Sequence, residues 1–106
     1  MKLRKYANDP NIRSMMGAAT GVRFTGVIVD KLEDGKTVVM QVEMPDNEGY
    51  VRSQVKMIRP RFEKVSLFDT ITGVGDLTRG YKKDKLVMSF VPSVFVIRNK
   101  NGRQVV

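Results

Sequence analysis

The chain of 106 residues contains no cysteine and no histidine. Without cysteine it can form no disulfide, no thiolate nucleophile and no Cys-ligated zinc site. Without imidazole it lacks the usual general base, the usual proton shuttle and the commonest transition-metal ligand. No paired-carboxylate or activated-nucleophile spacing stands in for them, so the chain is expected not to be an enzyme and to carry no catalytic residue, metal or cofactor. No apolar run approaches the ~20 residues of a membrane span, and the start MKLRKYANDP lacks the apolar stretch of a signal peptide. The expectation is a cytoplasmic protein with no membrane partner.

Hydrophobic content of 42% and charged content of 28% fit a soluble globular protein. A chain of this length has room for one core, and no repeat, low-complexity tract or linker divides it, so residues 1–106 read as a single domain. Its net charge of +8 is unevenly placed. Residues 1–53 hold eight Lys/Arg against seven Asp/Glu, whereas residues 54–106 hold eleven against four. These cations alternate with Val55, Met57, Ile58, Phe62, Val65 and Leu67 and do not form a tail. A folded surface that concentrates cations is the footprint of a polyanion partner, and nucleic acid is the commonest.

Asp9-Pro10 reads as the start of a short helix, since Asp accepts orphan backbone N–H groups and proline fits the first helical position. From Val22 the period changes to two. In VRFTGVIVDKL, Gly26 precedes three apolar residues in a row, which predicts a bend or bulge there. Asp34-Gly35 between two strands predicts a hairpin. In TVVMQVEM, Val38, Met40, Val42 and Met44 face one way. In the third strand Val51, Ser53, Val55 and Met57 face inward and Arg52, Gln54, Lys56 and Ile58 outward. Arg59-Pro60-Arg61 closes that strand, and alternation from Val65 to Thr72 suggests a fourth. GVGDLTRGYKKDK reads as a glycine-rich loop, LVMSFVPSVFVIR as a last strand with an edge or bulge at Pro92, and Asn101-Gly102 as one more turn.

Five or six short strands with turns between them describe a mainly β fold. The expected form is a small closed or partly open barrel, OB-like with SH3-like as the alternative, carrying one short N-terminal helix, because closure removes costly exposed edges.

Few motifs rise above this background. Gly73-Val74-Gly75 lacks the spacing, the following helix and the lysine of a phosphate-binding loop. Asp30, Glu33 and Asp34 are explained by turn chemistry and lack calcium-loop spacing. No aromatic RNA-binding signature, helix-turn-helix pattern or zinc-finger spacing is present, so base-specific duplex readout has no visible machinery. What remains is the basic set. Arg52 and Lys56 project from one strand face at steps of about 7 Å per two residues, near the phosphate repeat of an extended single strand. The candidate nucleic-acid-binding residues are therefore Arg52, Lys56, Arg59, Arg61, Arg79, Lys82 and Lys83 for phosphates, with Tyr81 and Phe62 or Phe68 for stacking bases. Tyr50 also lies beside the cations but is not kept among the stacking residues, and Phe24, Phe90 and Phe95 read as packing residues. A solvated outer face that merely solubilises is the bland reading of the same cations.

VVMQVEMP (Val38–Pro45) and VKMIRP (Val55–Pro60), with GVRFTG (Gly21–Gly26) and KDKLVM (Lys83–Met88), resemble segments of a family of small proteins encoded by integrative and conjugative elements. That resemblance implies a compact β domain and a helicase processivity role with single-stranded DNA. The expectation is thus a sequence-tolerant single-stranded nucleic-acid-binding protein of a mobile element or phage, with DNA favoured over RNA, a helicase or replication protein as a further partner, and a homodimer or higher oligomer allowed. The alternative is a phage or virion structural or assembly protein that oligomerises through its strands.

Overall fold

The computed structural model describes residues 17–43 and 50–106. The expected Asp9-Pro10 helix and Met44 lie outside these residues. Within them the chain forms β1 (Gly17–Lys31), β2 (Thr37–Glu43), β3 (Tyr50–Lys56), α1 (Arg59–Lys64), β4 (Thr70–Lys82) and β5 (Lys85–Arg98). The strands close a barrel in the order β1-β2-β3-β5-β4. β3 and β5 run parallel, and the other neighbours run antiparallel. Five strands closed by a parallel β3–β5 pair, with a helix between β3 and β4, make the small OB-like barrel. An SH3-like meander has no such parallel pair.

β1 is long because it serves two partners. It pairs with β4 from Gly17 to Val27 and with β2 from Val27 to Lys31. The handover falls at Gly26, where a Cβ would lie 2.8 Å from Met40 Sδ and 2.9 Å from the Gln41 carbonyl oxygen. Only glycine lets β2 cross that closely. The expected bend is therefore found, and the register slip follows it, between Ile28 and Asp30. This resolves the apolar run: Ile28 is fully buried, while Val27 and Val29 sit half-buried.

Asp34-Gly35 turns the chain into β2. Gly35 takes φ +73°, and the Asp34 carboxylate accepts the backbone N–H groups of Lys36 (2.9 Å) and Thr37 (2.8 Å) and the Thr37 hydroxyl (2.6 Å). These bonds, the Thr37 hydroxyl first, hold the Asp34 carboxyl below its ordinary value of 3.8. A depressed folded-state value stabilises the turn above the ordinary pKa, and the contribution is lost as pH falls through the lower folded value.

β3 alternates as expected, and β2 keeps the expected core face, although Thr37 and Val39 on its other face are buried as well. Val38, Met40 and Val42 are fully buried, as are Ser53 and Val55, and Arg52, Gln54 and Lys56 are exposed. The segment after β3 departs from expectation. Arg59–Lys64 is a helix, with proline in its first turn and Phe62 buried against the core, and β4 begins only at Thr70. The strand expected from Val65 is instead a connection and a turn. The glycine-rich stretch expected as a loop is the body of β4, which pairs with β5 from Thr70↔Arg98 to Lys82↔Lys85. Pro92 does mark a bulge, since the register slips there and Ser93 is left over, its hydroxyl donating to the Val74 carbonyl at 3.0 Å. After β5, Asn101-Gly102 (Gly102 φ +77°) returns the chain so that Val105 N–H donates to the Ile97 carbonyl at 2.8 Å.

Phe24 and Phe90 centre the core with rings 4.4 Å apart, as expected of packing residues. Phe95 is half-buried against the same core. Among the described residues no helix is long and apolar enough to cross a membrane.

Candidate nucleic-acid interface

The exposed face of β3 is built by parity. Tyr50, Arg52, Gln54 and Lys56 share the outward face because Ser53 and Val55 face the core. Tyr50 is 59% exposed and stands where the basic row begins. Six residue steps along the strand separate Tyr50 from Lys56, roughly 20 Å of extended surface. Beyond the end of β3, Arg59 opens α1, and its Nε lies 3.9 Å from the place a Cβ on Gly35 would occupy, so it rests over the β1–β2 turn. The Met57 N–H donates to the Lys36 carbonyl at 2.5 Å and ties that turn to the strand end.

At the other end stands the β4–β5 hairpin. Lys83 (φ 51°) and Asp84 (φ 64°) both take the left-handed conformation, the pattern of a two-residue type I′ turn. Lys83 and Lys85 are exposed, and Tyr81 is 66% exposed at the barrel rim. The parallel register sets Ser53 beside Met88, and carried back three residues it brings Tyr50 level with Lys85. The backbone of Lys82 closes β4, and its side chain lies outside the described part of the chain.

Two pockets flank the row. One, of about 210 Å³, is lined by Val27, Val29, Gln41 and Tyr50, on the β1–β2–β3 face. The other, of about 240 Å³, is lined by Thr37, Gln54, Lys56, Ser89, Phe90 and Val91, where β3 and β5 meet. Apolar walls beside a tyrosine on one side and polar groups beside a lysine on the other suit flat rings carried on a charged backbone.

The structure therefore brings Arg52, Lys56, Arg59 and Lys83 to one face and its ends, whereas Tyr81, though exposed, has the inward parity of Leu77 and Arg79 and stands on the other side of the β4–β5 hairpin. It separates the rest. Phe62 belongs to the core, because it sits on the buried side of α1, and it offers no ring face for stacking. Lys31 Nζ lies 4.5 Å over its ring. Arg79 is only 5% exposed, since it follows Gly75 and Leu77 on the inward face of β4, and so it is no surface phosphate contact. Arg61 is exposed, but its guanidinium lies 4.9 Å over the ring of Phe95 on β5. Phe68 precedes β4 and Tyr81 is its last residue but one, so the two aromatics stand at opposite ends of a 13-residue strand.

Lys85 was absent from the candidates drawn from sequence, and Tyr50 was considered there as a stacking aromatic but not kept. The signal for Tyr50 was present: it has the parity of Arg52, two positions on.

Phe68 is conformationally unusual. It is 56% exposed at φ +72° in a turn where Asp69 N–H donates to the Ser66 carbonyl at 3.2 Å. Its N–H donates to the Ile28 carbonyl at 2.7 Å, and Lys100 Nζ lies 5.4 Å over the ring. A left-handed phenylalanine costs about 1–2 kcal/mol where glycine is unstrained. Phe68→Gly is therefore expected to raise unfolding free energy by about 0.5–1 kcal/mol, after loss of the lysine contact and the extra freedom of the unfolded chain. Thermal denaturation checks this: a rise of roughly 3–6 °C supports it, and an unchanged or lower midpoint contradicts it.

No protein-family model matches the chain, and no curated protein matches it.

Proposed function

We propose that this barrel binds single-stranded nucleic acid in a sequence-tolerant, largely electrostatic way along the outer face of β3. The observation that carries the reading is the exposed row Tyr50, Arg52, Gln54, Lys56, continued by Arg59 at one end and by Lys83 and Lys85 at the other. The β2–β3 face and adjoining loops are where OB barrels take oligonucleotides and oligosaccharides. Cations that track a backbone, with Tyr50 in the same row for a base to stack on, favour the oligonucleotide. DNA is preferred to RNA in this reading, and the work is to assist replication or transfer of a mobile element or phage, with a helicase or replication protein as a further partner. That setting rests on the resemblance of Val38–Pro45 and Val55–Pro60 to the conjugative-element family.

The reading is tested by mapping backbone amide shifts as a short deoxythymidine oligomer is added. Changes concentrated on Tyr50–Lys56 and Lys83–Lys85 support it. Changes confined to the far half of β5, Val94–Arg98, or none at millimolar oligomer, overturn it.

A second reading is favoured by one observation. Val87, Val91 and Val94 on β5 are 43%, 56% and 70% exposed, within a stretch from Leu86 to Ile97 that contains no charge. Such a stripe suits contact with protein, as in an assembly component. Sedimentation without nucleic acid separates the two, because an assembly protein forms large oligomers that persist at high salt.

A further inference from the structure

The register of β4 against β5 gathers valines on one outer face. Gly75 and Leu77 point into the barrel, so Val74 and Asp76 point out, and their partners Val94 and Val91 point out with them. Val94 is 70% exposed and Val91 56%, while Val74 and Val96 on the same face are half-buried. One cation and one acid border these valines. Arg23 stands on β1 across from Val74, outward because Val22 and Phe24 on either side of it are buried, and Asp76 lies two residues along β4, opposite Val91. Both are exposed.

We infer that this face joins two copies of the chain about a two-fold axis into a closed dimer. Charge identifies the second copy as the occupant. At a net charge of +8, two copies repel over most of their surface, and the β3 row offers only cations to a second β3 row. The valine face differs. From Leu86 to Ile97 β5 carries no charge, and the two charges that border the valines are opposite in sign. Two-fold pairing sets a surface against itself, so Arg23 of one copy lies against Asp76 of the other, and symmetry makes the contact twice. The valines between them supply the apolar contact. Each copy has one such face, and once two copies meet nothing is left for a third, which separates this dimer from an assembly that grows. The dimer itself does not depend on the single-strand reading. It extends that reading, because the parallel register carried one residue on sets Val91 level with Lys56, so each basic row lies beside the joined face and a long strand can hold both.

Sedimentation equilibrium of the whole protein without nucleic acid is expected to give a species of twice the mass of one chain that parts into single chains on dilution. Val94→Glu sets a carboxylate in the middle of the face, at a side chain that is mostly in water in the single chain. It is expected to weaken the dimer at least about a hundredfold with an unchanged thermal midpoint. Charge reversal supplies the second arm. Arg23→Asp and Asp76→Arg are each expected to weaken the dimer about tenfold, and the double variant, which restores opposite signs across the axis, to return to within about threefold of wild type. Arg23→Asp lowers the net charge, so general repulsion alone predicts a stronger dimer for it, and a weaker one identifies the contact. Single chains at every concentration overturn the inference, as do a dimer that survives Val94→Glu and a double variant no better than its single parents. Oligomers larger than two overturn the closed dimer in favour of an assembly. No nucleic acid is present, so a failed dimer leaves the single-strand reading to its own test.

Discussion

Replacing Arg52 and Lys56 together by alanine is expected to flatten the salt dependence of single-strand binding by about 1.4 in log–log slope. Five exposed cations, Arg52, Lys56, Arg59, Lys83 and Lys85, lie along the face. If each neutralises one phosphate, the slope for a single strand is about −3.5, so a rise from 50 to 200 mM salt weakens binding by about 130-fold. Removing two leaves a slope near −2.1 and a loss of about 20-fold over the same range. The two side chains are exposed on the outside of β3, so the double variant should keep its stability to within roughly 0.5 kcal/mol per site. Isotherms at four salt concentrations suffice. An unchanged slope in the folded double variant means that β3 does not carry the strand.

Gly75→Ala is expected to destabilise the barrel by about 2–3 kcal/mol, which for a domain of this size lowers the thermal midpoint by about 10–20 °C. Gly75 is buried in β4 where β5 crosses it. A Cβ there would collide with the Val91 carbonyl oxygen and lie 2.7 Å from Pro92 Cα, and both are backbone atoms with no rotamer to change. The bulge at Ser93 already occupies the slack in that ladder. Gly80 supplies the comparison: it lies in the same strand, yet a Cβ there meets nothing within 4 Å. Gly80→Ala is expected to change stability by no more than about 0.5 kcal/mol. Equal midpoints for the two variants would show that β4 and β5 are not this close at Gly75.

These two glycines show why half of β4 was not legible in the sequence. A glycine that permits a turn and one that permits a close strand crossing look alike until the partner strand is known, and β5 arrives later in the chain. Where partners are local the reading worked. The period of two in β2 and β3, the Asp34-Gly35 turn and the Pro92 bulge are all carried by residues within a few positions of each other. α1 was missed for a different reason: six residues give too short a run for a helical period to declare itself, and Arg59-Pro60 ends a strand as readily as it begins a helix. The parallel β3–β5 closure joins segments more than thirty residues apart, and no local signal announces it.

The candidate site divides along the same line. Arg52 and Lys56 were legible because alternation alone places them outward. Arg79 has the inward parity of Gly75 and Leu77, but parity means nothing in a segment taken for a loop. Phe62 followed the fate of the unseen helix. Phe68 and Tyr81 were grouped by composition, and a 13-residue strand holds them apart.

The most direct test of the central claim is to titrate the whole protein into a fluorescent 30-nucleotide DNA single strand at several salt concentrations, with duplex DNA and single-stranded RNA in parallel. Binding is expected to weaken with a log–log slope near −3.5 and to favour the DNA single strand over the duplex. A slope near zero, or no binding even at low salt, contradicts it and leaves the cations of β3 as solubilising charge.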